Sequence, residues 1–175
     1  MFSVSIVIPV LNGASTLAET VKSVQQQSLQ NFEILIVDNA SDDQTLAIAR
    51  DIASKDGRVK VVAETVRLNM SGSVQRALNH ASKEWLIYLP SDDLLEADAL
   101  ANFLRLSEKY PNAQVLVGQF KQMSFDGKPG NTIMSLRTRM CGKYFLSPRK
   151  AFQAYAKSAL GECCSTCFKK RLFEL

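Results

Sequence analysis

The chain has 175 residues, the length of about one domain, and 46% of them are hydrophobic, which is enough to bury a core. With 22% charged residues the chain is not largely disordered, and four cysteines are too few for a small disulfide scaffold. The net charge of +4 is too small to indicate a nucleic-acid partner, and a single histidine disfavours a His-rich zinc site or a Ser-His-Asp triad.

The N-terminal ten residues predict a buried strand and not a signal peptide, because they lack a basic region and a small-residue cleavage site. No apolar run reaches the ~18 residues that a membrane span needs. We therefore expect a cytoplasmic chain with reduced thiols.

Short apolar runs then alternate with amphipathic stretches over the first two-thirds of the chain. Strands are predicted at Ser5–Val10, Glu33–Asp38, Val59–Ala63, Trp85–Leu89 and Gln114–Gly118. Helices are predicted from Leu17, after Ser41–Asp43, over Ser71–Ala81 and through Leu100–Ser107. Because such strands need crossover connections, we expect an α/β fold with a mainly parallel sheet and helices on both faces.

The pattern changes after residue 118. Lys121–Phe125 and Thr132–Arg137 predict a hairpin or an extended loop, Ser147–Leu160 a helix, Ser165–Phe168 a short strand, and Lys169–Leu175 the start of a helix. The four cysteines do not have the spacing of paired zinc knuckles, so buried structural thiols are favoured over a metal site at Cys141, Cys163, Cys164 and Cys167.

Carboxylates follow two of the predicted strands. In an open α/β sheet, ligands bind beyond the carboxyl ends of the strands, so Asp38, Asp92 and Asp93 are expected around one crevice. Carboxylates together with a diphosphate suit Mg²⁺ or Mn²⁺. The alternative for Asp92 and Asp93 is capping of the next helix, and for Asp42 and Asp43 capping is favoured over ligand contact.

Four segments in order resemble glycosyltransferase family 2, whose members are inverting enzymes with a GT-A fold. The first is Val4–Asn12, the second runs from Leu17–Gln27 to Glu33–Asp42, and the third and fourth are Asn69–Ala81 and Trp85–Asp93. The resemblance is close over residues 3–118 and loose over 119–175. It implies a GT-A-like three-layer sandwich with a Rossmann-like sheet, in which residues 1–118 form the nucleotide-sugar-binding core.

The resemblance also implies roles for individual residues. The nucleotide would be bound by Pro9, Val10, Leu11, Asn12, Asp38, Arg76, Asn79, Ser91 and Asp92, and Mn²⁺ or Mg²⁺ by Asp92 and Asp93. Asp38 would accept a hydrogen bond from the nucleobase. Leu11 stands where the family often has an aromatic residue, and Pro90 where many members have an aspartate.

The activity that the resemblance implies is metal-dependent, inverting transfer of a sugar from a nucleotide-diphosphate sugar to an acceptor hydroxyl. A UDP-sugar is the first candidate donor, and GDP- and dTDP-sugars stay open. A glycan or lipid-linked sugar in bacterial polysaccharide biosynthesis is the expected acceptor, which would bring the protein to the inner face of the membrane. The alternatives are a non-catalytic nucleotide-sugar-binding module and a metal-dependent nucleotidyltransferase.

Family members continue past the segment that resembles Cys164–Glu174 into an acidic motif with the catalytic base. We therefore expect the base beyond Leu175 and interpret residues 119–175 as the truncated start of an acceptor-side region. This chain would then bind a nucleotide but transfer sugar poorly. Exposed apolar side chains at Phe168, Leu172 and Phe173 would favour self-association.

Overall fold

The computed structural model describes residues 2–118, 120–123, 129–133 and 166–173. The strands within these ranges are β1 (Val4–Val10), β2 (Phe32–Asp38), β3 (Val59–Ala63), β4 (Trp85–Tyr88), β5 (Val115–Val117), β6 (Phe120–Met123), β7 (Pro129–Ile133) and β8 (Thr166–Lys169). The helices are α1 (Leu17–Gln25), α2 (Thr45–Lys55), α3 (Met70–His80) and α4 (Ala99–Lys109), and a 3-10 helix follows β8 at Lys170–Phe173.

Six strands form one sheet in the order β3-β2-β1-β4-β8-β5. The first four strands in this order are parallel, and β8 runs antiparallel to both of its neighbours, β4 and β5. Strands β6 and β7 pair separately as an antiparallel hairpin. The predicted α/β fold with a mainly parallel sheet is confirmed.

The central strands have continuous apolar sequences because the sheet is covered on both faces. Every residue of β2 is buried, and so are six of the seven residues of β1. One face packs against a core that includes Leu17 of α1 and Leu100 of α4, and the other packs against Ala77 and Leu78 of α3. A parallel sheet buried in this way reads as unbroken Val, Ile and Leu runs.

The C-terminal segment differs from the sequence prediction. Up to residue 173, the last one described, β8 is followed by a 3-10 helix, where the start of an α-helix was expected over Lys169–Leu175. Phe168 lies in β8 and is 7% exposed, so its assignment to an exposed apolar surface was wrong. The strand pairing buries it, because Phe168 sits between Leu86 of β4 and Val115 of β5.

Several other predictions fall on residues outside the described ranges. These are the helix at Ser147–Leu160 and the roles of Cys141, Cys163 and Cys164. Cys167 is a free thiol buried in β8, and burial raises its pKa well above the ordinary value, which confirms its interpretation as a structural cysteine. Within the described ranges, no helix has the length and apolar character needed to cross a membrane.

Candidate functional site

The carboxyl ends of β2, β1 and β4 lie side by side at one edge of the sheet. Val10 at the end of β1 is paired with Asp38 at the end of β2, and Val7 is paired with Tyr88 at the end of β4. Neighbouring strands are about 4.8 Å apart, so the residues after β4 lie on the order of 10 Å from Asp38, across the end of β1. The structure thus brings together the strand ends that the sequence singled out.

Asp38 carries the most distinctive feature of this edge. Its side chain is buried, and Oδ2 accepts a hydrogen bond from the Ser41 backbone N–H at 3.2 Å. The other oxygen, Oδ1, is buried and has no hydrogen-bond partner among the described residues. Buried polar atoms in folded proteins nearly always have a partner, so an unpaired carboxylate oxygen here points to a ligand that donates a hydrogen bond.

Two loops beside Asp38 are joined by reciprocal hydrogen bonds. The backbone N–H of Asn12 donates to Ser41 Oγ at 2.9 Å, and the backbone N–H of Asp42 donates to Asn12 Oδ1 at 2.9 Å. Asn12 has a φ of 54°, a left-handed conformation that Asn adopts more readily than most residues. Asn12 therefore holds the loop after β1 against the loop after β2, while the preceding Leu11 is exposed.

The loop after β4 is fixed against the loop after β1. On α1, the buried Thr20 hydroxyl donates to the carbonyl oxygen of Ser91 at 2.8 Å. A Cβ atom on Gly13 would lie 2.5 Å from Val10 Cγ2 and 3.3 Å from Ser91 Oγ. Glycine at position 13 is thus what lets the two loops approach each other closely.

Asp92 and Asp93 form the open end of this edge. Asp92 is exposed and Asp93 half-buried, and the Asp93 backbone N–H donates to the Pro90 carbonyl at 3.2 Å in a turn. Helix α4 begins at Ala99 with Asp98 as its N-cap, so the alternative in which Asp92 and Asp93 cap that helix is wrong.

The pair of carboxylates fits a hard divalent cation that is shared with a ligand. Among the described residues there is no group of three or more His, Cys, Asp and Glu side chains placed to hold a metal ion. Mg²⁺ sites of phosphate-binding enzymes commonly use one or two carboxylates and complete the shell with phosphate oxygens and water. Asp92 and Asp93 supply that minimal set.

The two acids after β2 have separate roles. The N-cap of α2 is Gln44, and Asp43, one residue earlier, accepts from the backbone N–H of Thr45, the first residue of the helix, through Oδ1 at 2.9 Å. Hydrogen bonds led by that from the Thr45 hydroxyl lower the pKa of Asp43. Asp42 does not cap the helix. It is exposed and forms an ion pair with Arg67, a residue of the loop between β3 and α3.

The loop between β3 and α3 is bound by Asn39, a residue after β2 whose role the sequence pattern did not predict. The buried Asn39 donates from Nδ2 to the Leu68 carbonyl at 2.9 Å and accepts from the Leu68 N–H at 2.8 Å. This pair of bonds fixes the loop beside Asp38. Val66, in the same loop, is 69% exposed. A polar residue directly after Asp38 was the available signal for Asn39, whereas nothing in the sequence pattern singles out Val66.

Arg76 and Asn79 lie at different depths along α3. Arg76 Nε is 3.2 Å from Oε1 of Glu64, the residue after β3, so Arg76 reaches the carboxyl edge of the sheet. Asn79 is nearly at the C-terminal end of α3, roughly 15 Å along the helix axis from its N-cap at Asn69. Just beyond it, Ser82 donates to Glu33 at the opposite edge of the sheet. The structure does not bring Asn79 together with the other predicted site residues.

Comparison with known proteins gives one family and several relatives. The family model described as "Glycosyl transferase family 2" matches residues 5–173. A PGL/p-HBAD biosynthesis glycosyltransferase of Mycobacterium bovis is 31% identical over 115 residues, which cover 65% of this chain and 45% of that protein.

Solved structures show the same architecture. Staphylococcus aureus TarS 1-349 in complex with UDP-GlcNAc superposes with a TM-score of 0.75 at 18% identity, covering 99% of this chain and 47% of that one. The mannosyltransferase PcManGT of Pyrobaculum calidifontis, in complex with GDP-Man and Mn²⁺, gives a TM-score of 0.62 at 26% identity, over 70% of this chain and 37% of that one. The chain thus spans less than half the length of each of these proteins, and the fold it shares with them is the GT-A glycosyltransferase fold.

Proposed function

Since the chain belongs to glycosyl transferase family 2, we propose that it transfers a sugar from a nucleotide-diphosphate sugar to an acceptor hydroxyl, with inversion at the anomeric carbon. The observation that carries the donor assignment is the buried, unpaired Oδ1 of Asp38 at the carboxyl edge of the sheet. TarS and PcManGT, which have the same fold, were solved in complex with UDP-GlcNAc and GDP-Man, respectively.

Asp38 gives the site a preference among nucleobases. A carboxylate oxygen without a partner accepts a hydrogen bond, so Oδ1 pairs with a base that presents an N–H at this edge. Uracil, thymine and guanine offer an imino N–H, whereas cytosine and adenine offer only their exocyclic amino group. The exposed Leu11 and Val66 follow β1 and β3, the two strands that flank β2, and offer apolar contacts to the faces of the base. A UDP-sugar is therefore the donor that we propose first.

The remaining strand-end residues would hold the ribose and the diphosphate. We assign contacts with the nucleoside to Pro9, Val10, Leu11 and Asn12, and contacts with the ribose to Ser91 and Asp92. Arg76, paired with Glu64, would form a side wall of the nucleotide site. Asp92 and Asp93 would hold Mn²⁺ or Mg²⁺. When bound, such an ion neutralises charge on the leaving diphosphate. Asn79 is left out of the proposed site because of its distance from the strand ends.

For the acceptor, the proposal names a chemical class and no individual molecule. A glycan or a lipid-linked sugar fits the family, and the mycobacterial relative is named for PGL/p-HBAD biosynthesis. We place the reaction in the cytoplasm, with contact to the inner face of the membrane where the acceptor is lipid-linked.

The donor site is tested by calorimetric titration of UDP with and without Mn²⁺. We expect Mn²⁺ to tighten UDP binding in the wild-type chain and to have no such effect in the double variant Asp92→Asn/Asp93→Asn. The matched control is Asp51→Asn/Asp98→Asn, which removes the same charge from exposed positions on α2 and before α4. If the Mn²⁺-dependent gain survives in the Asp92/Asp93 variant, the metal assignment is wrong.

Transfer itself is tested by release of nucleoside diphosphate. UDP-, GDP-, dTDP- and CMP-sugars are incubated with Mn²⁺ and candidate acceptor glycans, and free nucleotide is measured. Acceptor-dependent release from an imino N–H base supports the proposed reaction. Tight UDP binding without release under any acceptor would indicate a nucleotide-sugar-binding module.

A further inference from the structure

A cavity lies at the opposite edge of the sheet from the proposed donor site. It has a volume of about 330 Å³ and is lined by Ser82, Lys83, Glu84, Lys169, Lys170 and Arg171. Its position follows from the strand pairing, because Lys169 at the end of β8 is paired with Trp85 at the beginning of β4. We call it the amino-edge cavity.

Main-chain and side-chain contacts hold the two walls of the amino-edge cavity together. The Lys170 backbone N–H donates to the Glu84 carbonyl at 2.8 Å. Lys169 Nζ lies 3.0 Å from Glu84 Oε1 and 5.1 Å from the centre of the Trp85 ring. The Lys169 side chain is 13% exposed, so it serves mainly to fasten β8 to β4.

The cavity has a strong excess of positive charge. Its six lining residues include four cations and one carboxylate, and that carboxylate, Glu84, is paired with Lys169. Lys83 and Arg171 have no ion-pair partner within the described part of the chain. Glu33, which lies behind Ser82, is matched by Lys60 at 2.9 Å and offers no compensation.

A cluster of positive charges lowers the stability of the folded chain when no negative charge lies beside it. The cations come from residues 83 and 169–171, segments that are distant in sequence and that the β4–β8 pairing brings together. Like charges held close together oppose folding, and a bound anion removes that repulsion. Guanidinium and ammonium groups form strong charge-assisted hydrogen bonds with phosphate oxygens.

We infer that the amino-edge cavity is a second anion site, which binds a phosphate-bearing ligand through Lys83 and Arg171. It is separate from the donor site, since β4 alone places about 13 Å of strand between the two edges of the sheet. The phosphate can belong to a soluble molecule or to the headgroup of an anionic lipid, and the chemistry of recognition is the same.

The experiment uses the full chain and two probes. Inorganic pyrophosphate is titrated by calorimetry in EDTA, and co-sedimentation is measured with phosphatidylcholine vesicles with and without phosphatidylglycerol. The variant is Lys83→Gln/Arg171→Gln. The matched control, Lys22→Gln/Arg50→Gln, removes one lysine and one arginine charge from exposed positions on α1 and α2.

We expect Lys83→Gln/Arg171→Gln to weaken binding of one or both probes at least about tenfold, while the control binds like the wild type. Loss of pyrophosphate binding identifies a soluble ligand, and loss restricted to the phosphatidylglycerol vesicles identifies a lipid headgroup. Equal losses in both variants, or no binding of either probe by the wild type, would overturn the inference. Mn²⁺-dependent UDP binding, measured in parallel, shows that the variant is folded and that the donor site is unaffected.

Discussion

The carboxylate of Asp38 is half satisfied by Ser41. Oδ2 accepts the Ser41 N–H at 3.2 Å, and Oδ1 stays buried without a partner among the described residues. Oδ1 therefore forms no hydrogen bond that would stabilise the fold, and it lies at the edge of the sheet where the nucleotide sugar is proposed to bind. A buried oxygen without a partner in the protein is typical of a ligand-binding site.

Asp38→Asn should separate binding from stability. In either orientation the amide places N–H against a donor, either the Ser41 N–H or the imino N–H of the base. We expect UDP affinity to fall about tenfold or more, while the free energy of unfolding changes little, because the amide oxygen can keep the hydrogen bond from Ser41. Calorimetry and urea denaturation measure the two quantities. Asp51→Asn, on an exposed face of α2, is the control, and equal UDP binding by both variants would contradict the role of Asp38.

Gly13→Ala should strain the contact between the loops after β1 and β4. The new Cβ would lie 2.5 Å from Val10 Cγ2, and a buried overlap of this kind typically costs about 1–3 kcal/mol. We expect a lower urea midpoint together with weaker UDP binding. Gly57→Ala is the matched control, because a Cβ there meets no atom within 4 Å. Equal stability of the two alanine variants would show that the loops adjust without cost.

Asn39→Leu should release the loop between β3 and α3. The substitution removes both side-chain hydrogen bonds to the Leu68 backbone and leaves a carbonyl and an N–H to find water, at a cost of about 1–3 kcal/mol. We expect faster amide hydrogen exchange over residues 64–69 and weaker UDP binding. Asn102→Leu, on an exposed part of α4, serves for comparison. Unchanged exchange at Leu68 would show that the loop is held by other contacts.

Glu33 should make the fold acid-sensitive. Burial by itself would raise its pKa, but hydrogen bonds from Ser5, Lys60 and Ser82 outweigh burial and lower the pKa from 4.5 to about 2. A folded-state pKa below that of the unfolded chain stabilises the fold above about pH 4.5, and this stabilisation is lost as the pH falls toward 2.

The comparison with Glu33→Gln isolates this effect, because the other acids are common to both chains. Relative to the variant, the wild-type chain should lose up to about 3 kcal/mol of unfolding free energy between pH 5 and roughly pH 2. Urea titrations across that range measure the difference. Parallel stability curves for the two chains would refute the contribution of Glu33.

The amino-acid sequence by itself determined the central half of the sheet and the edge at which its carboxylates lie. Strands β1 to β4 are buried on both faces, so their positions appear as apolar runs, and the polar residues that end them mark the ligand edge of any parallel sheet. The position of Asp38, Asp92 and Asp93 at this edge was therefore predicted from local pattern alone.

The tertiary structure alone decided the features that depend on pairing between distant segments. The insertion of β8 between β4 and β5 rests on contacts such as that of Cys167 with Ile87, and it buries Phe168 and assembles the amino-edge cavity. Likewise, only the packing of α3 places Arg76 beside Glu64 and Asn79 far from the strand ends. The local sequence determines the periodicity of a helix or strand and the residues at its ends. Which strands and helices then pack together depends on the whole chain, because the native arrangement is the one in which burial and strand pairing give the lowest free energy.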